Sequence, residues 1–269
     1  MAKPEKHSKN GSNLLDDLPI TVLLTGFDAF AKHKYNPSEL VVETFPDILK
    51  SKARGHSKQA KEIHILKQVL PTAGVKGWKV LKKALDNTLD QAEGPVYVIM
   101  LGMAAMRETI SLERLALNFR DYRLPDNNNE QRFEETIEVK APQLLRTNLD
   151  LRLLQAMVSA AGYPCEVSNH AGTFVCNELY FKALNYKREL GDIESVLFMH
   201  LPPEKVFAKS AKKARSKDTP KSVSDILKDL PKDGKKRQIE FMQEAIVEVI
   251  ENIVHGTVIY KELRRTQVE

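Results

Sequence analysis

Ser168-Asn169-His170-Ala171-Gly172-Thr173-Phe174-Val175-Cys176-Asn177 holds a strand end, a turn and a helix start within ten residues. Cys165 to Ser168 reads as a short extended stretch and Ala171-Gly172-Thr173 as the turn. From Asn177 onward, Leu179, Tyr180, Ala183 and Leu184 recur at helical spacing. Cys176 therefore falls at a turn-to-helix junction, where unpaired N–H groups and the helix dipole favour an anion. A thiolate is such an anion, and the thiolate is the nucleophilic form of cysteine. In isolation, a cysteine in an apolar run is more often a small buried hydrophobe. The rest of the chain has to decide between the two.

Working outward, strands and helices alternate. Pro19 to Thr25 reads as a buried strand ending at Gly26, and Ser38 to Leu49 as a helix announced by Asn36-Pro37-Ser38. After the polar, basic Lys50 to Lys61 come a strand (Ile63 to Leu70), an amphipathic helix (Gly77 to Leu89) and an apolar strand (Val96 to Leu101). Met103 to Pro142 reads as a long irregular middle, of a length that is usually functional or disordered. Beyond it the pattern predicts a helix (Asn148 to Ala161), a strand (Glu166 to Asn169), a helix (Asn177 to Tyr186), a strand (Ser195 to Leu201) and a last helix (Lys236 to Val254). Such alternation predicts an α/β fold with a mostly parallel sheet covered on both faces. Functional groups are then expected at the carboxyl ends of the strands, where Gly26-Phe27, Gly102, Cys176 and His200 share one edge.

Composition bounds the answer. The 269 residues are 42% hydrophobic and 29% charged, which suits a globular domain with a sizeable core. The two cysteines, Cys165 and Cys176, lack CxxC spacing, which argues for a reducing compartment and against a zinc site. Residues 1–17 are polar and lysine-bearing without an apolar signal core, so a disordered lead-in is expected. Residues 18–269 are expected to form a single domain, and no apolar stretch is long enough to span a bilayer. Cytoplasmic location is the expectation, with no membrane partner. The net charge of +5 is local: Pro203 to Gln238 carries twelve Lys/Arg against five Asp/Glu, leaving the rest of the chain two units negative. That segment has a single aromatic, Phe207, not the interleaved aromatics that a strand-binding groove uses, so it reads as a solvated insertion (about 203–238) rather than a nucleic-acid site.

A cysteine hydrolase needs a base for the thiol proton and a group that orients the base. Of seven histidines, His7, His33, His56 and His64 lie in polar stretches, His170 lies across a turn from Cys176, and His255 follows the last helix. His200 alone is embedded in an apolar strand, Leu197-Phe198-Met199-His200-Leu201, so it is either a satisfied core histidine or a held base. Glu113, within Ile110-Ser111-Leu112-Glu113-Arg114-Leu115-Ala116-Leu117, is a carboxylate in apolar surroundings, and a surface salt bridge to Arg114 or a nearby lysine is the simpler reading for it.

The set Thr25-Gly26-Phe27-Asp28-Ala29-Phe30, Asn36-Pro37, Ile110 to Ala116, Arg123-Leu124-Pro125-Asp126-Asn127, Ala171 to Asn177 and Phe198-Met199-His200-Leu201-Pro202 occurs in one order. It resembles the type I pyroglutamyl peptidase family (pyrrolidone-carboxylate peptidases, which are cysteine peptidases) over about Ile20 to Pro202 and, loosely, the last helix. The resemblance implies a three-layer α/β/α sandwich, phosphorylase- or hydrolase-like. It implies Cys176 as nucleophile, His200 as general base and later acid, and Glu113 as the group orienting His200. It also implies a cysteine exopeptidase (an omega peptidase) that releases N-terminal pyroglutamate from peptides through a thioester, with no cofactor or metal. The oxyanion would meet the Cys176 N–H and Arg123. Phe27, Phe30, Asn36, Met103 and Val175 fall at substrate-binding positions of that family.

The chain departs from the family pattern in two places. Gly102-Met103-Ala104-Ala105-Met106-Arg107 replaces Gly-Gln-Ala-Gly-Gly-Arg, and Asp28-Ala29-Phe30-Ala31-Lys32 replaces Asp-Pro-Phe-Gly-Gly. Met103 cannot hydrogen-bond as a glutamine does. A related cysteine amidase acting on another cyclic or acylated substrate therefore stays open. So does a non-catalytic protein that binds through its basic 203–238 segment. Homo-oligomerisation is also left open.

Overall fold

Apolar side chains alternate along the central strands and sort onto two faces of one sheet. In the computed structural model, which describes residues 18–31, 33–51, 61–203 and 234–256, the chain order is β1 (Ile20–Phe27), α1 (Pro37–Thr44), β2 (Ile48–Lys50), β3 (Glu62–Leu70), α2 (Gly74–Gln91), β4 (Val96–Met103), β5 (Ile110–Leu117), β6 (Leu144–Arg146), α3 (Leu151–Ala160), β7 (Cys165–His170), α4 (Val175–Leu190), β8 (Ser195–Leu201) and α5 (Gly234–Val254). Ile20, Val22 and Leu24 of β1 join Ile99, Leu101, Leu197 and Met199 against α1, α3 and α5. Leu23 and Phe27 join Val98, Met100, Val196 and Phe198 against α2 and α4. This is a three-layer α/β/α sandwich.

The eight strands run β2-β3-β1-β4-β8-β5-β6, with β7 also paired to β5. The core β3-β1-β4-β8 is parallel. β5 runs antiparallel to β8 and parallel to β7, so these two outer strands point opposite to the core. At Ser111 both edges of β5 are taken, by Glu166 and His200, and at Leu115 by His170 and Arg146. β7 thus holds one edge of β5 throughout, while β8 and then β6 share the other. The amino-terminal half of β5 lies beside the carboxyl end of β8. Glu113 and Ser111 enter the functional edge by that route.

Three sequence expectations are corrected. The helix predicted to Leu49 ends at Thr44, because Pro46 forces Phe45 into an extended conformation (ψ 142°), and the chain continues as β2. The middle segment contains β5, whose alternation is disguised by the fully buried polar residues Ser111 and Glu113. The remainder of that segment is ordered by its own pairing, with Arg120 bridged to Glu135, the Tyr122 N–H on the Arg132 carbonyl and the Asn118 amide on Glu138 and Ala141. Cys176 also does not follow a strand of the core direction, since β7 runs the other way. The lead-in 1–17, most of the basic stretch at 50–61 and residues 204–233 of the lysine-rich insertion lie outside the described residues. Among the described residues no helix is long and apolar enough to cross a membrane.

Gly26 marks the closest approach of β1 to α1. A Cβ there would sit 2.4 Å from the Ser38 carbonyl oxygen, and backbone cannot step aside as a flexible side chain can. Gly26→Ala is expected to lower stability by about 1–3 kcal/mol, the usual range for overpacking, read as a fall in the urea midpoint with an unchanged slope.

Candidate active site

The thiol is placed by a helix start without a side-chain cap. After the turn at Gly172 (φ +84°), Phe174 is the N-cap of α4 in extended conformation and makes no side-chain cap hydrogen bond. The first-turn N–H groups, that of Cys176 among them, have no helical acceptor and carry the positive end of the helix dipole. The next residue fixes the turn. Asn177 accepts from the Leu117 N–H at 2.8 Å and donates to the carbonyls of Leu117 and Phe119, both at 2.9 Å, so α4 is pinned to the end of β5. One turn further on, the Tyr180 hydroxyl donates to the Glu113 carbonyl at 3.1 Å. Before the helix, Thr173 exchanges hydrogen bonds with Asp121 (2.9 and 3.0 Å).

His200, near the end of β8, is in register with Gly102 of β4 and Ser111 of β5. Its Nδ1 meets Glu113 Oε1 at 2.7 Å, and Glu113 is fully buried. The Cys176 side chain lies close enough to the imidazole to help raise its pKa. With Nδ1 on the carboxylate, Nε2 is the ring nitrogen left for sulfur. Gly102 leaves room for this contact, because a Cβ there would lie 3.2 Å from Cys176 Sγ and 2.8 Å from the Phe198 ring. Burial alone would push the His200 pKa down. The approach of Cys176, the hydrogen bond to Glu113 and their charges outweigh burial and raise it to about 9. A folded-state value above the unfolded 6.5 means the imidazolium stabilises the fold fully below pH 6.5, and this contribution is lost as pH rises through about 9.

Sequence-predicted site residues divide into groups. Cys176, His200 and Glu113 are brought together, and the simpler reading of Glu113 as a partner of Arg114 does not hold: the Arg114 guanidinium bonds Asn169 at 3.1 Å. Phe30 is half-buried with its ring 5.1 Å from that of Phe174, and Phe174 lies 4.6 Å from Tyr122. Phe27 and Val175 are buried in the core on the α2/α4 face. The Asn36 amide is taken up locally: it caps α1 through the Ser38 N–H (3.1 Å) and hydroxyl (2.8 Å) and donates to the Asp28 carbonyl (3.1 Å). Met103 is half-buried at the last residue of β4, paired with Leu201, and Arg123 is exposed next to buried Tyr122.

Sequence reading missed Phe174, Tyr180 and the carboxylate Glu178. Tyr180 stands four residues after Cys176, on the same helix face, which was the available signal. Glu178 is fully buried yet matched on every side, by Arg120 (2.8 Å), the Tyr122 hydroxyl (2.5 Å) and Lys182 (3.3 Å). The departures from the family pattern are also visible. Ala31 holds the left-handed region (φ +53°) where the family pattern has glycine, at a cost of about 1 kcal/mol. Neither Ala105 nor Met106 has a positive φ, and the Arg107 N–H closes a turn onto the Ala104 carbonyl instead (3.0 Å).

A thiol, an imidazole and a buried carboxylate in sequence contact, at the start of a helix on a mostly parallel sheet, define a cysteine hydrolase of the α/β class. The chain belongs to the pyroglutamyl peptidase family, whose model matches residues 20–227. It is 33% identical over 214 residues to a pyrrolidone-carboxylate peptidase of Fusobacterium nucleatum, covering 77% of this chain and 87% of that one. With a Bacillus licheniformis pyrrolidone-carboxylate peptidase it shares 34% over 191 residues, covering 70% and 81%. The crystal structure of the pyrrolidone carboxyl peptidase of Fervidobacterium islandicum AW-1 superposes with a TM-score of 0.65 at 26% identity, covering 89% of this chain and all of that one.

Glu113→Gln removes one of the contributions that raise His200. The imidazole titration, followed by NMR of labelled histidine, is expected to fall from about 9 toward the ordinary histidine value.

Proposed function

We propose that this chain hydrolyses the amide bond after an N-terminal pyroglutamyl residue, with Cys176 as nucleophile, His200 as proton carrier and Glu113 as the group orienting His200. The observation that carries the reading is the imidazole of His200 held between a buried carboxylate at 2.7 Å and the thiol at the first turn of α4. The family and its named relatives support the substrate class.

The surroundings of the thiol suit a blocked amino terminus. Recognition of a free α-ammonium calls for an unpaired carboxylate, and the one beside Cys176 in sequence, Glu178, is already neutralised by Arg120 and Lys182. What the half-buried Phe174 and Phe30 present instead is aromatic surface, backed by the buried ring of Tyr122, which suits an uncharged lactam ring. Met103 and Arg123 are assigned to the substrate end of the site by family position, Phe27 and Val175 to its apolar floor. Asn36 acts by holding the Asp28–Phe30 segment through its bond to the Asp28 carbonyl.

The reaction follows as acyl transfer. The Cys176 thiolate attacks the pyroglutamyl carbonyl carbon, and the oxyanion is met by the Cys176 N–H at the uncapped helix start, with Arg123 as the second donor. As the tetrahedral species collapses, the His200 imidazolium gives its proton to the departing amine and the C–N bond breaks, leaving a thioester. Neutral His200 then takes a proton from water, and the hydroxide attacks the thioester. The C–S bond breaks, releasing pyroglutamate and restoring thiolate and imidazolium.

This proton bookkeeping fixes the pH profile. Because His200 is held protonated up to about 9, the alkaline limb of kcat/KM is expected near pH 9, where the proton donor is lost. Release of a fluorogenic amine from its pyroglutamyl amide is the measurement. Cys176→Ala and His200→Ala are expected to lose about 10⁴-fold or more, and an amide of unblocked glutamate should be left intact. Turnover surviving in Cys176→Ala would defeat the proposal.

A further inference from the structure

Arg107, in the loop between β4 and β5, reaches both β5 and β7. Its guanidinium donates to Glu166 Oε1 at 3.2 Å and to Ser168 Oγ at 2.9 Å, and one nitrogen lies 3.9 Å from Glu113 Oε1. That oxygen is the one that meets His200. The other carboxylate oxygen, Oε2, is buried without a hydrogen-bond partner among the described residues. Glu166 is held in turn by the Ser111 hydroxyl at 2.9 Å.

Charge balance gives this arrangement its meaning. In the charge state that the catalytic reading calls for, thiolate, imidazolium and carboxylate sum to one negative charge, and Glu113 is fully buried. The groups facing Glu113 can be taken element by element. β8 offers the His200 imidazole and the apolar Phe198, and α4 offers the neutral Tyr180 hydroxyl, with Cys176 beyond the imidazole. β7 offers Glu166 and Ser168 by way of Arg107, and β5 itself offers Ser111. The loop offers the cation, Arg107, whose side chain is 37% exposed while that of Glu113 is 0%.

We propose that Arg107 is a positioning residue of the catalytic set, balancing the charge of Glu113 and keeping its carboxylate turned to His200. The inference rests on the catalytic reading of Cys176, His200 and Glu113. A cation about 4 Å from a carboxylate favours the charged form, so without Arg107 the three-group set takes up its proton at higher pH. Glu166, a second carboxylate bonded to the same guanidinium, works in the opposite direction.

The test needs no substrate: the rate of Cys176 alkylation by iodoacetamide, followed across pH by mass spectrometry of the Cys176 peptide. In Arg107→Gln the acid limb is expected about one pH unit higher than in wild type, a roughly tenfold slower reaction on that limb. Arg107→Lys should recover most of the shift, and Glu166→Gln should move the limb downward, by less because Glu166 is 46% exposed. Loss of a purely structural contact would slow alkylation at every pH and leave the limb in place. If His200→Ala alters the wild-type profile but Arg107→Gln and Glu166→Gln do not shift it, the role of Arg107 is overturned while the catalytic set stands. Should His200→Ala leave the alkylation profile unchanged, both readings fall. If Arg107→Gln does not fold, Arg107→Lys and Glu166→Gln still decide the sign.

Discussion

The docking of the first turn of α4 onto β5 is the constraint on which the rest of the site depends. Cys176 arrives from β7, which runs against the direction of β4 and β8, so no strand end delivers it. Asn177 and Tyr180 do so instead, by hydrogen-bonding the β5 backbone at Leu117, Phe119 and Glu113. Tyr180 further packs its ring 5.6 Å from that of Phe198, which lies 4.9 Å from the His200 ring. Helix, β5 and β8 are thereby locked to one another around the Cys176–His200–Glu113 line.

Polar groups in this region are tolerated because nearly all are matched. A pair of charges on the surface, such as Lys82–Asp86 in α2, contributes about 0.3–0.5 kcal/mol. Breaking a buried ionic pair by removing one partner costs about 3–5 kcal/mol, because the other is left uncompensated. Glu113–His200 and Arg120–Glu178 belong to the second kind. Two charge clusters therefore flank the start of α4, Glu113 with His200 and Arg120 with Glu178.

The departures from the family pattern lie in the loops around this frame. Ala31 tolerates a left-handed backbone because the Asp28 segment is tied from several directions, by Thr72, Asn127 and Asn36. The turn at 104–107 accepts side chains where glycines are expected, and it delivers Arg107 to Glu166 and Glu113. Met103 alters the chemistry available at the end of β4 without disturbing its pairing with β8.

The amino-acid order alone determined the alternating elements, the turn-to-helix junction at Cys176 and the isolation of His200 in an apolar strand, because these are local patterns of hydrophobicity and turn residues. Its ordered motifs also pointed to Glu113, which local pattern left as a surface ion pair. β5 escaped notice since a strand that buries Ser111 and Glu113 does not alternate apolar with polar. Tertiary structure decided what spacing along the chain cannot carry: the reversed direction of β5 and β7, the committed amides of Asn36 and Asn177, the neutralised Glu178 and the approach of Arg107 to Glu113. Each of these is set by which backbones lie side by side, and hydrogen bonds and charge acting over a few ångströms depend on that adjacency.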